Sequence, residues 1–139
     1  MTAIAAFFTL WQRERYLESQ LSWEPYTPAD LEIAVNDGTV VVISLTANWD
    51  ISSQTREELF DEPEICRIVR AKNARLMRAD LTQGSPVAWN LMKSVNLISA
   101  PAFLVYSLHR PQSPEVIVET PTEDRLLQAI AHARYRGTE

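Results

Sequence analysis

The chain has one cysteine in 139 residues, Cys66, so an internal disulfide framework is excluded and no cysteine cluster exists to hold a metal. Its two histidines, His109 and His132, lie apart in sequence with no second ligand at metal spacing, and neither a metal nor any other cofactor is expected. No apolar run reaches the roughly 18 residues that mark a membrane-spanning helix. Positive charge is in deficit: 13 Lys and Arg stand against 18 Asp and Glu, a net charge of −5 that argues against a general nucleic-acid binder. The apolar stretch Met1 to Leu10 lacks a basic leader and is followed by Arg13-Glu14-Arg15 rather than a small-residue cleavage site, so a cleavable signal is not expected. These absences make the cytoplasm the default compartment.

Hydrophobic residues make up 46% of the chain and charged residues 22%, the composition of one ordinary globular domain and not of a disordered segment. The domain is organised around residues 40 to 54. Val40-Val41-Val42-Ile43-Ser44-Leu45 is rich in β-branched residues, too short for a helix and preceded by Asn36-Asp37-Gly38, which predicts a buried central strand. Thr46-Ala47-Asn48-Trp49 then leads into a helix, with Asp50 as N-cap, Ser53 at N3, and no Gly or Pro from Ile51 to Phe60. Strand ends that feed helix N-termini are where open α/β sheets present ligands, because unpaired N–H groups and the helix dipole favour an anion there.

The rest of the chain is arranged around that strand. Ile4, Phe7, Phe8 and Trp11 recur at i, i+3, i+4 and i+7 and predict an amphipathic helix from about Thr2 to Ser19. Its apolar face needs a cover, which is the body of the domain, a partner helix or a membrane surface; the absence of a dense Lys/Arg flank weakens the membrane alternative. Trp23-Glu24-Pro25-Tyr26 reads as an extended lead-in, and Thr27 caps a helix that begins at Pro28 and stops at Asn36-Asp37-Gly38. The helix from Ile51 breaks at Asp61-Glu62-Pro63, and a second runs from Pro63 to about Asn73 with Ile65, Ile68 and Val69 buried and Cys66 beside them. Arg67, Arg70, Lys72, Arg75 and Arg78 read as a solvated basic face. Leu76 to Leu81 is a strand, Gly84-Ser85-Pro86 opens a helix that ends near Val95, and Ala102 to Tyr106 is a strand. His109 to Pro114 reads as a loop and Glu115 to Glu119 as an edge strand. Thr120-Pro121-Thr122-Glu123 caps a last helix with Leu126, Leu127, Ile130 and Ala131 toward the sheet.

Trp23-Glu24-Pro25-Tyr26, Val41 to Ser53, Leu76 to Thr82 and Ser99-Ala100-Pro101-Ala102-Phe103-Leu104 follow the order of the landmarks of a thioredoxin fold. Together they resemble the C-terminal thioredoxin-like domain of the DsbD-type thiol:disulfide interchange proteins, over about residues 23 to 132. The resemblance implies a three-layer α/β/α fold with a mixed central sheet of about four strands, and divides the chain into an N-terminal helix and linker, 1–22, and a thioredoxin-like domain, 23–139. In that family the central strand ends in Thr-Ala-x-Trp-Cys-x-x-Cys. Here the same frame reads Thr46-Ala47-Asn48-Trp49-Asp50-Ile51-Ser52-Ser53, so Asp50 and Ser53 stand where the family has its two cysteines. By the same resemblance Ser44 matches the acidic residue often buried beneath the site, and Pro101 matches a proline that is cis and faces an extended peptide.

Dithiol exchange needs one thiolate to attack and a second thiol to resolve the mixed disulfide; a carboxylate and a hydroxyl do neither, and no His or Lys lies nearby to activate Ser53. The expectation is therefore a redox-inactive thioredoxin-like domain that binds a protein or extended peptide through Trp49, Asp50, Ile51, Ser52, Ser53, Ala100 and Pro101. Asp50 is either a structural helix cap or an acceptor or base, and Trp49 either core or an exposed anchor. Two other functions stay open: single-cysteine exchange or redox sensing through Cys66, and oligomerisation through Ile4, Phe7, Phe8 and Trp11. The resemblance also keeps the periplasmic side of a membrane as the alternative compartment, with the chain as the end of a longer membrane protein.

Overall fold

The structure, a computed structural model, describes residues 21–47, 57–82, 86–97, 101–118 and 121–135. The expected N-terminal helix, and with it Ile4, Phe7, Phe8 and Trp11, lies outside the described residues. In chain order the elements are β1 (Trp23–Pro25), α1 (Pro28–Asn36), β2 (Val41–Thr46), a 3-10 turn (Glu58–Asp61), α2 (Pro63–Ala71), β3 (Arg75–Asp80), α3 (Pro86–Ser94), β4 (Ala102–Ser107), β5 (Arg110–Val118) and α4 (Glu123–His132).

The sheet is mixed and has the order β1-β3-β2-β4-β5. β2 runs parallel to β3, β3 parallel to β1, and β4 lies antiparallel to both β2 and β5. β2 is central and buried along its whole length, as its unbroken apolar run requires of a strand covered on both faces. The sheet has five strands where about four were expected. The additional strand is β1: the segment read as an extended lead-in pairs Trp23, Glu24 and Pro25 with Leu76, Met77 and Arg78. Proline is tolerated there because an edge strand has one side without ladder bonds. β5 also corrects the sequence reading, because Arg110 to Pro114 belong to the strand and not to a loop. The register slips between Val105 and Ser107, an irregularity that the hairpin accommodates.

Local sequence explains where the helices begin and end. Thr27 Oγ1 accepts from Asp30 N at 3.1 Å with Pro28 in the first turn, and Gly38 takes a positive φ of 77° just past the end of α1. Pro63 opens α2 after the chain breaks at Glu62, and Asn73, at φ 50°, turns the chain out of α2 into β3. Asn96, at φ 58°, does the same after α3. Thr122 Oγ1 accepts from Arg125 N at 3.1 Å and caps α4.

Two apolar clusters, one on each face, sandwich the sheet. Ile43, Leu45, Met77, Leu104 and Tyr106 pack with α1 and α3 on one face. Val42, Phe60, Phe103, Leu126 and Ile130 pack with α2 and α4 on the other. Phe60 is the pivot of the second cluster, meeting Trp23 edge-on at 4.9 Å and Phe103 at 5.3 Å between ring centroids. In α4 the side buried against the sheet includes Ala129; Ala131, expected inside, is exposed.

The supposed basic face is not one face. Arg67 pairs with Glu64, Arg75 with Glu24 and Arg78 with Glu57, while Lys72 is buried at 8% exposure. The Lys72 Nζ donates to the carbonyls of Ala131, at 2.8 Å, and Ala133, and stands 5.6 Å from the centre of the Tyr135 ring. A cation thereby sits at the negative end of α4. No helix among the described residues is long and apolar enough to cross a membrane.

Candidate functional site

The C-terminal ends of the parallel strands gather the landmarks picked out in the sequence. β2 ends at Thr46, which pairs with Asp80 of β3, and Leu45 pairs with Ala102 at the start of β4. Continuing that antiparallel register by one residue sets Pro101 opposite Thr46. Leu81 N donates to Thr46 O at 2.9 Å, and Asp80 turns its carboxylate back to accept from Thr82 N at 2.8 Å. Ala47, one residue past the end of β2, is buried.

Of the seven residues assigned to a binding surface, Pro101 is described and is half-buried. Trp49, Asp50, Ile51, Ser52, Ser53 and Ala100 lie outside the described residues. What is fixed is where they leave and rejoin the described chain. Ala47 precedes the first group at the end of β2, and Glu57 follows it, held by Arg78 of β3. Arg78 Nε and Nη2 donate to Glu57 at 2.8 and 2.6 Å, and the guanidinium lies 5.6 Å from the centre of the Trp23 ring. The sequence reading missed this clamp because Glu57 and Arg78 are 21 residues apart and neither has unusual neighbours.

Ser44 is 3% exposed on β2, in register with Arg78 on one side and Phe103 on the other. Cys66 is also 3% exposed, on α2, and its thiol donates to the carbonyl of Phe60 at 2.9 Å. Burial pushes the Cys66 thiol above its ordinary value, and the carboxylates of Asp61 and Glu62 push the same way against an opposing pull from Arg70.

The fold also joins residues that the sequence left apart. His109 and His132 line one small cavity between the β4–β5 turn and the end of α4. Sequence spacing carries no signal for this, because it depends on how a hairpin turn meets a helix end. No group of three His, Cys, Asp or Glu among the described residues is arranged to hold a metal.

This architecture, with β2 ending at the site and a proline opening the antiparallel strand beside it, is a thioredoxin-like fold. The chain is similar to the C-terminal domain of DsbD from Neisseria meningitidis in its reduced form, with a TM-score of 0.63 and 22% identity over 76% of this chain and 92% of that one. The oxidised form of the same domain gives 0.61 and 20% over 81% and 100%. A thioredoxin from Thermus thermophilus gives 0.62 and 16% over 80% and 85%. No protein-family model and no curated protein matches the sequence. The fold is therefore carried by structure at low identity, and the sequence holds one cysteine where dithiol exchange requires two.

Proposed function

We propose that the protein is a redox-inactive thioredoxin-like domain serving as a protein- or peptide-binding accessory module, related to the thiol:disulfide interchange proteins. The observation that carries this reading is the state of its only cysteine: Cys66 is buried, hydrogen-bonded to Phe60 and raised in pKa. Asp50 and Ser53 occupy the positions of the attacking and resolving thiols and can perform neither step. The same burial argues against single-cysteine exchange, because that chemistry needs an accessible thiolate.

The binding surface is formed by Trp49, Asp50, Ile51, Ser52, Ser53, Ala100 and Pro101. An extended segment of a partner takes backbone hydrogen bonds beside Pro101, as strand-like ligands do, and side-chain contacts from the turn. Trp49 is the anchor, since tryptophan concentrates binding energy where it is covered by a partner. The partner is a protein of a thiol-relay system, and the site's role there is to hold it without exchanging electrons.

Disulfide reduction of a peptide substrate tests the reading directly. The wild type is expected to be inactive, and the double variant Asp50→Cys, Ser53→Cys is expected to gain activity. Activity in the wild type that disappears in Cys66→Ser would make Cys66 the reactive group and overturn the proposal.

A further inference from the structure

Ser107, His109, Arg110, Glu115 and His132 line a cavity of about 70 Å³ where the β4–β5 turn meets the end of α4. Leu108 N donates to Arg134 O at 3.1 Å and fixes the turn against the segment that follows the helix. Ser107 is buried, with its hydroxyl 3.4 Å from His109 Nδ1. The cavity lies at the far end of β4 from Pro101, roughly 17 Å along the strand, so it is separate from the proposed binding surface.

Size and charge select the ligand. Organic ligands occupy pockets of about 300–1,000 Å³, and this one has room for a single compact group. Glu115 is the carboxylate on its wall, and Arg125 of α4 neutralises it at 3.0 Å. The carbonyls at the end of α4 would repel an anion, but Lys72, just past the end of α2, donates to two of them. Arg110 makes no ion pair among the described residues, in contrast to Arg67, Arg75, Arg78 and Arg125. Arg134 adds a further positive charge just beyond the helix. In a chain of net charge −5, this corner carries a guanidinium without an ion pair among the described residues beside two imidazoles.

We infer that this cavity binds one small oxyanion of the phosphate type, with Arg110 as its permanent charge and His109 and His132 as hydrogen-bond donors. Guanidinium groups match oxyanions through paired N–H donors, and protonated imidazoles add charge-assisted bonds.

Titration of the full chain with inorganic phosphate, followed by amide NMR, tests the site. Saturable shifts are expected at residues 107–110, 115 and 132. Arg110→Gln should weaken binding about tenfold, equivalent to about 1.4 kcal/mol. Glu115→Gln should tighten it by removing the opposing carboxylate, which makes the site testable by a gain as well as a loss. A parallel titration with a phosphomonoester separates the sources: binding of both ligands supports a phosphate carried on a larger molecule, and binding of phosphate alone supports the free ion. Absence of saturable shifts, an affinity unchanged in Arg110→Gln, or saturation by zinc in place of phosphate would each overturn the inference.

Discussion

Cys66 and Lys72, one turn and a half apart on and just after α2, respond to alkaline pH in opposite directions. Burial keeps the Cys66 thiol protonated in the folded chain after the unfolded chain has begun to ionise near its ordinary value of 9.0. The folded state then binds more protons, so stability falls as pH rises above that value. Burial lowers the ammonium of Lys72, so between its folded value and 10.5 the unfolded chain holds the extra proton and stability rises with pH. Replacing Cys66 with Ala should remove the first contribution and leave a flatter or rising stability profile above about pH 9, measured by urea unfolding at successive pH values. Replacing Lys72 with Met removes the charged donor at the end of α4 and is expected to cost about 1–3 kcal/mol in the same measurement at neutral pH. Lys72 was illegible in the sequence because its partners, such as Ala131, lie 59 residues further on. A lysine among arginines reads as solvated until the helix that covers it is in view.

At the scale of elements, the sequence was most legible where a local rule acts alone. Thr27, Pro28, Gly38, Pro63 and Thr122 each mark a helix boundary through backbone geometry or a cap, and the structure uses each in that way. Thr122→Ala should therefore destabilise the protein by about 0.5–2 kcal/mol, read as a lowered urea midpoint with an unchanged slope. β1 and the first half of β5 were less legible because a strand is defined by its neighbour. Trp23–Pro25 becomes a strand only against Leu76, Met77 and Arg78. Arg110–Ser113 carries no apolar alternation, since this part of the strand is exposed. Its pairing depends on the hairpin instead.

Across the whole molecule, the described residues supply an apolar cluster on each side of β2, with Leu21 and Trp23 at the margin of the α2–α4 cluster. We propose that the thioredoxin-like domain folds without residues 1–20. A chain beginning at Leu21 should keep a cooperative thermal transition by circular dichroism; loss of that transition would make residues 1–20 part of the core. The site was legible as a place and not as an activity. Thr46 and Pro101 mark the end of β2 and the start of β4, which the register brings side by side, while Trp49 to Ser53 lie outside the described residues. The proposed loss of dithiol chemistry rests on Asp50 and Ser53, and the sequence contains no feature that specifies a partner.

A solitary thiol sealed under α2 also makes the protein its own clock. A thiol reagent reaches Cys66 when α2 lifts from the sheet or the whole chain unfolds, and with one thiol in the sequence every labelling event has the same address. The labelling rate, compared with that of the unfolded chain, converts directly into the free energy of the opening that exposes it. Its dependence on urea then separates a local opening of the helix from global unfolding, without any engineered probe.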